Sequence, residues 1–146
     1  MIQDGLALRL SNDAGVKAVV GLPASRTSAD SPDGDNGVFP VQAPEAAVTP
    51  YLVYNVITGT EECTLQGASG FSMLRLQVDC YGGNYGAAQA LALAVRNCLK
   101  SFSGALTDSA ETNVSGIFPL GPPIDFFEDV PLEYRLMLEF EVWYQQ

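Results

Sequence analysis

Two segments of this chain alternate apolar and polar residues with the two-residue period of a half-buried strand. In "MLRLQVDCY", 73–81, Leu74, Leu76, Val78 and Cys80 face one way, and Arg75, Gln77 and Asp79 the other. In "YRLMLEFEVWY", 134–144, Leu136, Leu138, Phe140, Val142 and Tyr144 alternate with Arg135, Met137, Glu139, Glu141 and Trp143. Alternation this strict predicts a sheet with one buried face and a second face that is wet or covered by a partner. "YLVYNVIT", 51–58, is β-branched and aromatic and predicts a further strand, with shorter ones at Val38–Gln42 and Val114–Phe118.

The helical period appears twice. Ile2, Leu6 and Leu10 recur at i, i+4, i+8 and predict a helix from Ile2 to Leu10. Asp13 is placed to cap a second short helix, Ala14–Val20, which Gly21-Leu22-Pro23 ends. From Asn84 to Phe102 an alanine-rich run carries Leu91, Val95, Cys98, Leu99 and Phe102 on one stripe. Its small residues allow close packing on a sheet.

Between these elements lie polar or proline-rich connections. Residues 24–37, "ASRTSADSPDGDNG", hold almost nothing apolar and read as a mobile surface loop. Residues 59–72, "GTEECTLQGASGFS", read as an extended hairpin or projecting loop, and 119–133 as a loop turning at Gly121-Pro122-Pro123. Helix, strands, helix, strands predicts an α+β fold: a largely antiparallel or mixed sheet, with the N-terminal helix and the alanine-rich helix on one face. At 146 residues the expectation is one domain over 1–146.

Composition narrows the chemistry. There is no histidine, which removes the commonest general base, the Ser-His and Cys-His nucleophile pairs, and imidazole metal ligands. Seven basic residues against 17 acidic ones give a net charge of −10, which repels free nucleic acid. Cys63, Cys80 and Cys98 lack C-x-x-C spacing, and the latter two fall on apolar positions, so they read as buried free thiols. No apolar run approaches the ~20 residues that span a bilayer. The start "MIQDGLALRL" does not have the form of a secretory signal, so synthesis in a cytoplasm is expected.

Candidate sites mostly dissolve on inspection. "YGGNYG", 81–86, joins a strand to a helix, but Tyr81 stands where a dinucleotide fingerprint needs its first glycine, and no G-K-[ST] occurs. It reads as a turn with Asn84 capping the helix. "DSPDGDNG", 30–37, has Gly37 at a calcium-ligand position and no closing glutamate. Glu139 and Glu141 share a strand face roughly 7 Å apart, a spacing that suits glycoside hydrolysis but equally any polar sheet face. Arg75 is the expected partner of one of them. Phe126 and Phe127 are adjacent and cannot both enter one layer, and Trp143 on the polar face wants a cover.

"LRLQVDCYGGNYGAAQALALAVRNCL", 74–99, and the ending "YRLMLEFEVWYQ", 134–145, resemble the tail terminator (tail completion) proteins of long-tailed bacteriophages, whose relatives occur in prophages and gene-transfer agents. The resemblance implies a structural subunit of the virion tail or neck, assembled in the host cytoplasm into a ring, usually a hexamer. The ring caps the head-proximal end of the tail tube, stops its polymerisation and offers a surface to the head–tail connector, while DNA passes through the lumen. No cofactor, metal or catalytic set is implied. A ring needs one patch to meet a different patch on the next copy. The candidates for subunit or tube contact are Glu61, Glu62, Leu65 and Phe71 of the 59–72 projection, Arg75, Asp79, Glu139, Glu141 and Trp143 of the polar face, and Phe126 and Phe127. The alternatives are another connector subunit of the particle, or a small enzyme or ligand-binding module.

Overall fold

The computed structural model describes residues 2–20, 37–41, 50–100, 102–106, 112–128 and 133–145; all of the predicted loop at 24–37 except Gly37 lies outside them. Three helices, α1 (Ile2–Asn12), α2 (Ala14–Val20) and α3 (Tyr85–Leu99), accompany seven strands: β1 (Val38–Pro40), β2 (Tyr51–Thr64), β3 (Gly67–Gly82), β4 (Gly104–Ala105), β5 (Asn113–Pro119), β6 (Ile124–Glu128) and β7 (Glu133–Gln145). They form one sheet in the order β1-β2-β3-β7-β5-β4, with β6 also on β7. Only β1–β2 is parallel among these pairings. The α+β architecture, with the N-terminal helix and the alanine-rich helix on one sheet face, is the one the periodicities predict.

The two alternating segments become the central antiparallel pair, with Leu76 opposite Phe140 and Val78 opposite Leu138. Their apolar sides meet Leu91, Val95 and Leu99 of α3 and Leu6 and Leu10 of α1 in one buried core. Complete burial of each such side chain contributes about 1.5–3 kcal/mol, which sets the helix layer firmly on the sheet. Both predicted caps form. Asn84 Oδ1 accepts from the Ala87 amide at 2.8 Å, and Asp13 Oδ2 from the Val16 amide at 3.1 Å. The far end of α3 is closed by Arg9, whose Nε and Nη2 donate to the Cys98 carbonyl at 3.2 and 3.1 Å, with its guanidinium 3.6 Å from the Phe102 ring centroid. A cation at a helix C-terminus also complements the dipole.

The glycine turn before α3 is a packing device. A Cβ on buried Gly82 would sit 2.5 Å from the Ala88 amide nitrogen and 3.0 Å from both Ala88 Cα and the Asn84 carbonyl oxygen. Strand and helix approach closely here because nothing stands between them.

Several expectations need correction. The 119–133 segment is not all loop: Ile124–Glu128 pairs with β7, with Phe126 opposite Arg135. A five-residue strand with an exposed outer side carries no strong burial pattern, so its cue was weak. α3 ends at Leu99 instead of Phe102, and the short strand β1 stops at Pro40 instead of Gln42. At the latter point Val41 enters the left-handed region, φ 61°, which breaks the extended run.

β5 and β6 form one interrupted edge along β7. Pro119 pairs with Phe140 and Ile124 with Met137, so the four residues 120–123 oppose only Leu138 and Glu139. The surplus is two residues, an even number, so side-chain parity survives the interruption. The Leu120 amide still reaches the Glu139 carbonyl at 2.9 Å.

Candidate functional surface

The described surface includes the open face of the sheet, the β5–β6 edge and the β2–β3 hairpin, where the sequence placed its candidates. On the open face Arg75 lies opposite Glu141, Gln77 opposite Glu139, and Met73 opposite Trp143. Glu141 and Glu139 are half-buried neighbours two residues apart, as predicted. Trp143 does not stand alone on this face: its Nε1 donates to Glu141 Oε1 at 2.6 Å. Phe118, opposite Glu141 from the other side, is 53% exposed and extends the patch.

Asp79 departs from its neighbours. It is only 7% exposed, flanked in register by Val53 and Met137, and its Oδ2 accepts from Gln77 Nε2 at 3.0 Å. This part of the open face is therefore buried, not wet. A second small cluster builds up beside it, in which Tyr51 stacks on Tyr81 at 4.8 Å and meets Phe39 edge-on at 5.9 Å. Burial takes Asp79 off the surface a partner can touch.

Phe126 and Phe127 point to opposite sides of β6 and both are exposed. Phe126 lies under the Arg135 guanidinium, 4.3 Å away, and Phe127 packs 5.0 Å from Tyr134. On that second side, the Tyr85 hydroxyl at the start of α3 donates to Asp125 Oδ2 at 3.1 Å. This hydrogen bond to a carboxylate raises the Tyr85 phenol above its ordinary value. Glu61, Leu65 and Phe71 are exposed along the hairpin, whereas the Glu62 and Cys63 side chains lie outside the described residues.

The hairpin is long. β3 pairs with β7 only as far as Phe71, opposite Gln145, while β2 and β3 continue to pair as far as Thr64 and Gly67 around the turn Leu65-Gln66. Counted along β2, the tip therefore runs roughly 10 Å past the end of β7.

The structure brings Arg75, Glu139, Glu141 and Trp143 together, and leaves the hairpin residues and Phe126-Phe127 as separate features. It also reveals a groove that reading the sequence missed. About 380 Å³ in volume, it runs between α3 and the β6–β7 side, lined by Gln89, Ala92, Leu93, Arg96, Pro123 and Leu136. One signal was available: Leu93 lies off the buried stripe and is 61% exposed.

Among the described residues, no three His, Cys, Asp or Glu side chains converge as metal ligands. No described helix is long and apolar enough to cross a membrane. Cys80 and Cys98 are buried free thiols, as expected. Burial, aided by Asp79, pushes the Cys80 thiol far up, and burial with nearby Asp13 pushes Cys98 up to about 12.

Residues 5–145 match the family described as Tail completion protein gp17. The chain belongs to that family. Among solved structures it is similar to a chain of the "Virion of native gene transfer agent (GTA) particle", with a TM-score of 0.72 at 16% identity, over 99% of this chain and 94% of that one. At that identity the likeness is one of fold. No curated protein matches it by sequence. The chain is thus a structural protein of a phage tail, as the resemblance implied.

Proposed function

We propose that this tail completion protein forms a ring, hexameric in the simplest case, on the head-proximal end of the tail tube. It occupies the surface on which another tube ring would add and presents its opposite side to the head–tail connector. The mechanism is steric and interfacial, without catalysis or cofactor, and DNA passes through the lumen without specific binding. The observation that carries the reading, beside family membership, is the β2–β3 hairpin projecting past β7. A two-stranded arm that reaches beyond its own sheet engages another subunit through Leu65 at its turn and Phe71 at its base, both exposed. The net charge of −10 on each copy favours the free passage of DNA.

The hairpin residues Glu61, Glu62, Leu65 and Phe71, the open-face group Arg75, Glu139, Glu141 and Trp143, and the edge residues Phe126 and Phe127 are the proposed contact surfaces. The test is growth of purified tail tubes with added protein, scored by length in electron micrographs. Wild type should arrest growth at one end. A variant with the hairpin shortened by a tight turn should stay folded by circular dichroism and arrest growth poorly. Normal arrest by that variant refutes the role given to the hairpin, and failure of wild type to arrest growth refutes the proposal.

A further inference from the structure

Building on the ring reading, we infer that the β2–β3 hairpin tip of one copy docks into the α3–β6 groove of the next. The argument begins with distance. The groove lies beside Leu136, nine residues along β7 from Gln145, roughly 30 Å at strand rise, and the hairpin projects beyond Gln145 in the opposite direction. No copy can fill its own groove. A tip at one pole and a receptor at the other make a head-to-tail contact, which closes into a ring when the rotation allows.

Charge and shape then pair the two. The segment 59–72 carries Glu61 and Glu62 and no cation. On a chain with only seven basic residues, one of them, Arg96 of α3, lines the groove. Arg9 is committed to the Cys98 carbonyl and Phe102, and Arg135 lies over Phe126. The groove walls, Ala92, Leu93, Pro123 and Leu136, are apolar, and its volume of about 380 Å³ admits a leucine side chain readily. Leu65 is that leucine: an apolar side chain at the turn of the hairpin, fully exposed in the single copy. Leu65 enters against Leu93 and Pro123 while Glu61 meets Arg96. The apolar insertion supplies affinity, and the charges fix register and exclude a like-charged approach.

Association of the full-length protein, followed by analytical ultracentrifugation across a concentration series, tests the docking. Glu61→Arg, Arg96→Glu and Leu65→Ala each alter a solvent-accessible group and should fold normally; each should weaken association about tenfold. The double variant E61R/R96E should recover to within about threefold of wild type, which a merely structural role for either residue would not produce. Single variants that associate like wild type overturn the docking, as does a double variant no better than the weaker single. A strictly monomeric wild type also overturns it, yet leaves the tube-end reading standing if tubes are still arrested. Rings that form normally but fail to arrest tubes strike the function and spare the docking.

Discussion

Replacing Gly82 with alanine should destabilise the subunit far more than one methyl group suggests. The added Cβ meets backbone, not a flexible side-chain end: 2.5 Å to the Ala88 nitrogen, where ordinary contact needs about a further ångström. Relief requires the first turn of α3 to lift from β3, which loosens the Asn84 cap and the seating of Ala88 and Leu91. Overpacking of this kind costs about 1–3 kcal/mol, and weakening the cap adds up to about 1 kcal/mol. Against this, Gly to Ala stiffens the unfolded chain by about 0.4–1 kcal/mol. The net expectation is a loss of about 2 kcal/mol, or about 4–8 °C in Tm for a domain of this size. Urea denaturation followed by far-ultraviolet circular dichroism measures it directly. Gly86→Ala is the control, since its Cβ meets only Asn84 Oδ1, at 3.3 Å, and helix propensity there favours alanine by up to about 1 kcal/mol, so it should not destabilise. G82A as stable as wild type would refute the close strand–helix approach, and equal losses in both variants would point to the turn's flexibility instead.

Asn84→Ala removes the amide cap of α3 and should cost about 1 kcal/mol in the same urea assay, with Asn84→Ser largely retaining stability. Arg9→Met, which keeps the aliphatic stem but loses the Cys98 carbonyl bonds and the Phe102 contact, should cost about 1–2 kcal/mol by thermal melting. Cys80 and Cys98 should resist a thiol reagent in native protein and react on unfolding. The folded state holds the Cys98 proton up to about 12 while an unfolded thiol loses it near 9.0. The stability this gives is complete below 9.0 and declines by about 1.4 kcal/mol per pH unit per thiol between those values; denaturation at pH 8 and 10.5 should show the drop, and Cys98→Ala should lessen it. The Tyr85 phenol should titrate above its ordinary value by ultraviolet absorbance, and Asp125→Asn should bring it down.

The central architecture was legible because β3, β7 and α3 each repeat their period over several turns or strand residues, and burial on one side leaves that trace directly. Asp13 and Asn84 were readable as caps because the chemistry is local: a short acceptor beside the first unpaired amides. β6 was not, since its Ile124 and its two phenylalanines stay exposed and leave no burial period, and prolines on its N-terminal side imitate a loop. The glycines of 59–72 looked like breakers, yet Gly70, at φ 84°, sits in a stretch of shifted β2–β3 register and lets the hairpin continue. Asp79 looked as wet as Arg75 because strand parity records which face a residue takes, not what residues distant in sequence place beside it. The groove needed Pro123 brought next to α3 by sheet pairing, and no window of sequence contains both. The proposed contact residues are a mixture accordingly: exposure on the hairpin could be read from polarity, and Leu93 stood off its stripe, whereas the groove that joins Leu93 and Arg96 to Pro123 and Leu136 became a candidate only through the fold.

The interrupted β5–β6 edge has a consequence for a protein that must assemble with others. A bare outer strand invites another strand to hydrogen-bond along it, and an exposed run with Phe118, Ile124 and Phe126 on one side would make that invitation adhesive. Here Pro119, Pro122 and Pro123 remove three amide donors from the margin, and the two-residue surplus displaces the backbone between its halves. A strand from a stray copy finds no continuous ladder to extend. The side chains nevertheless keep their common direction across the break, because the surplus is even. The margin can therefore be sticky to a surface shaped for its side chains and mute to one that offers only backbone.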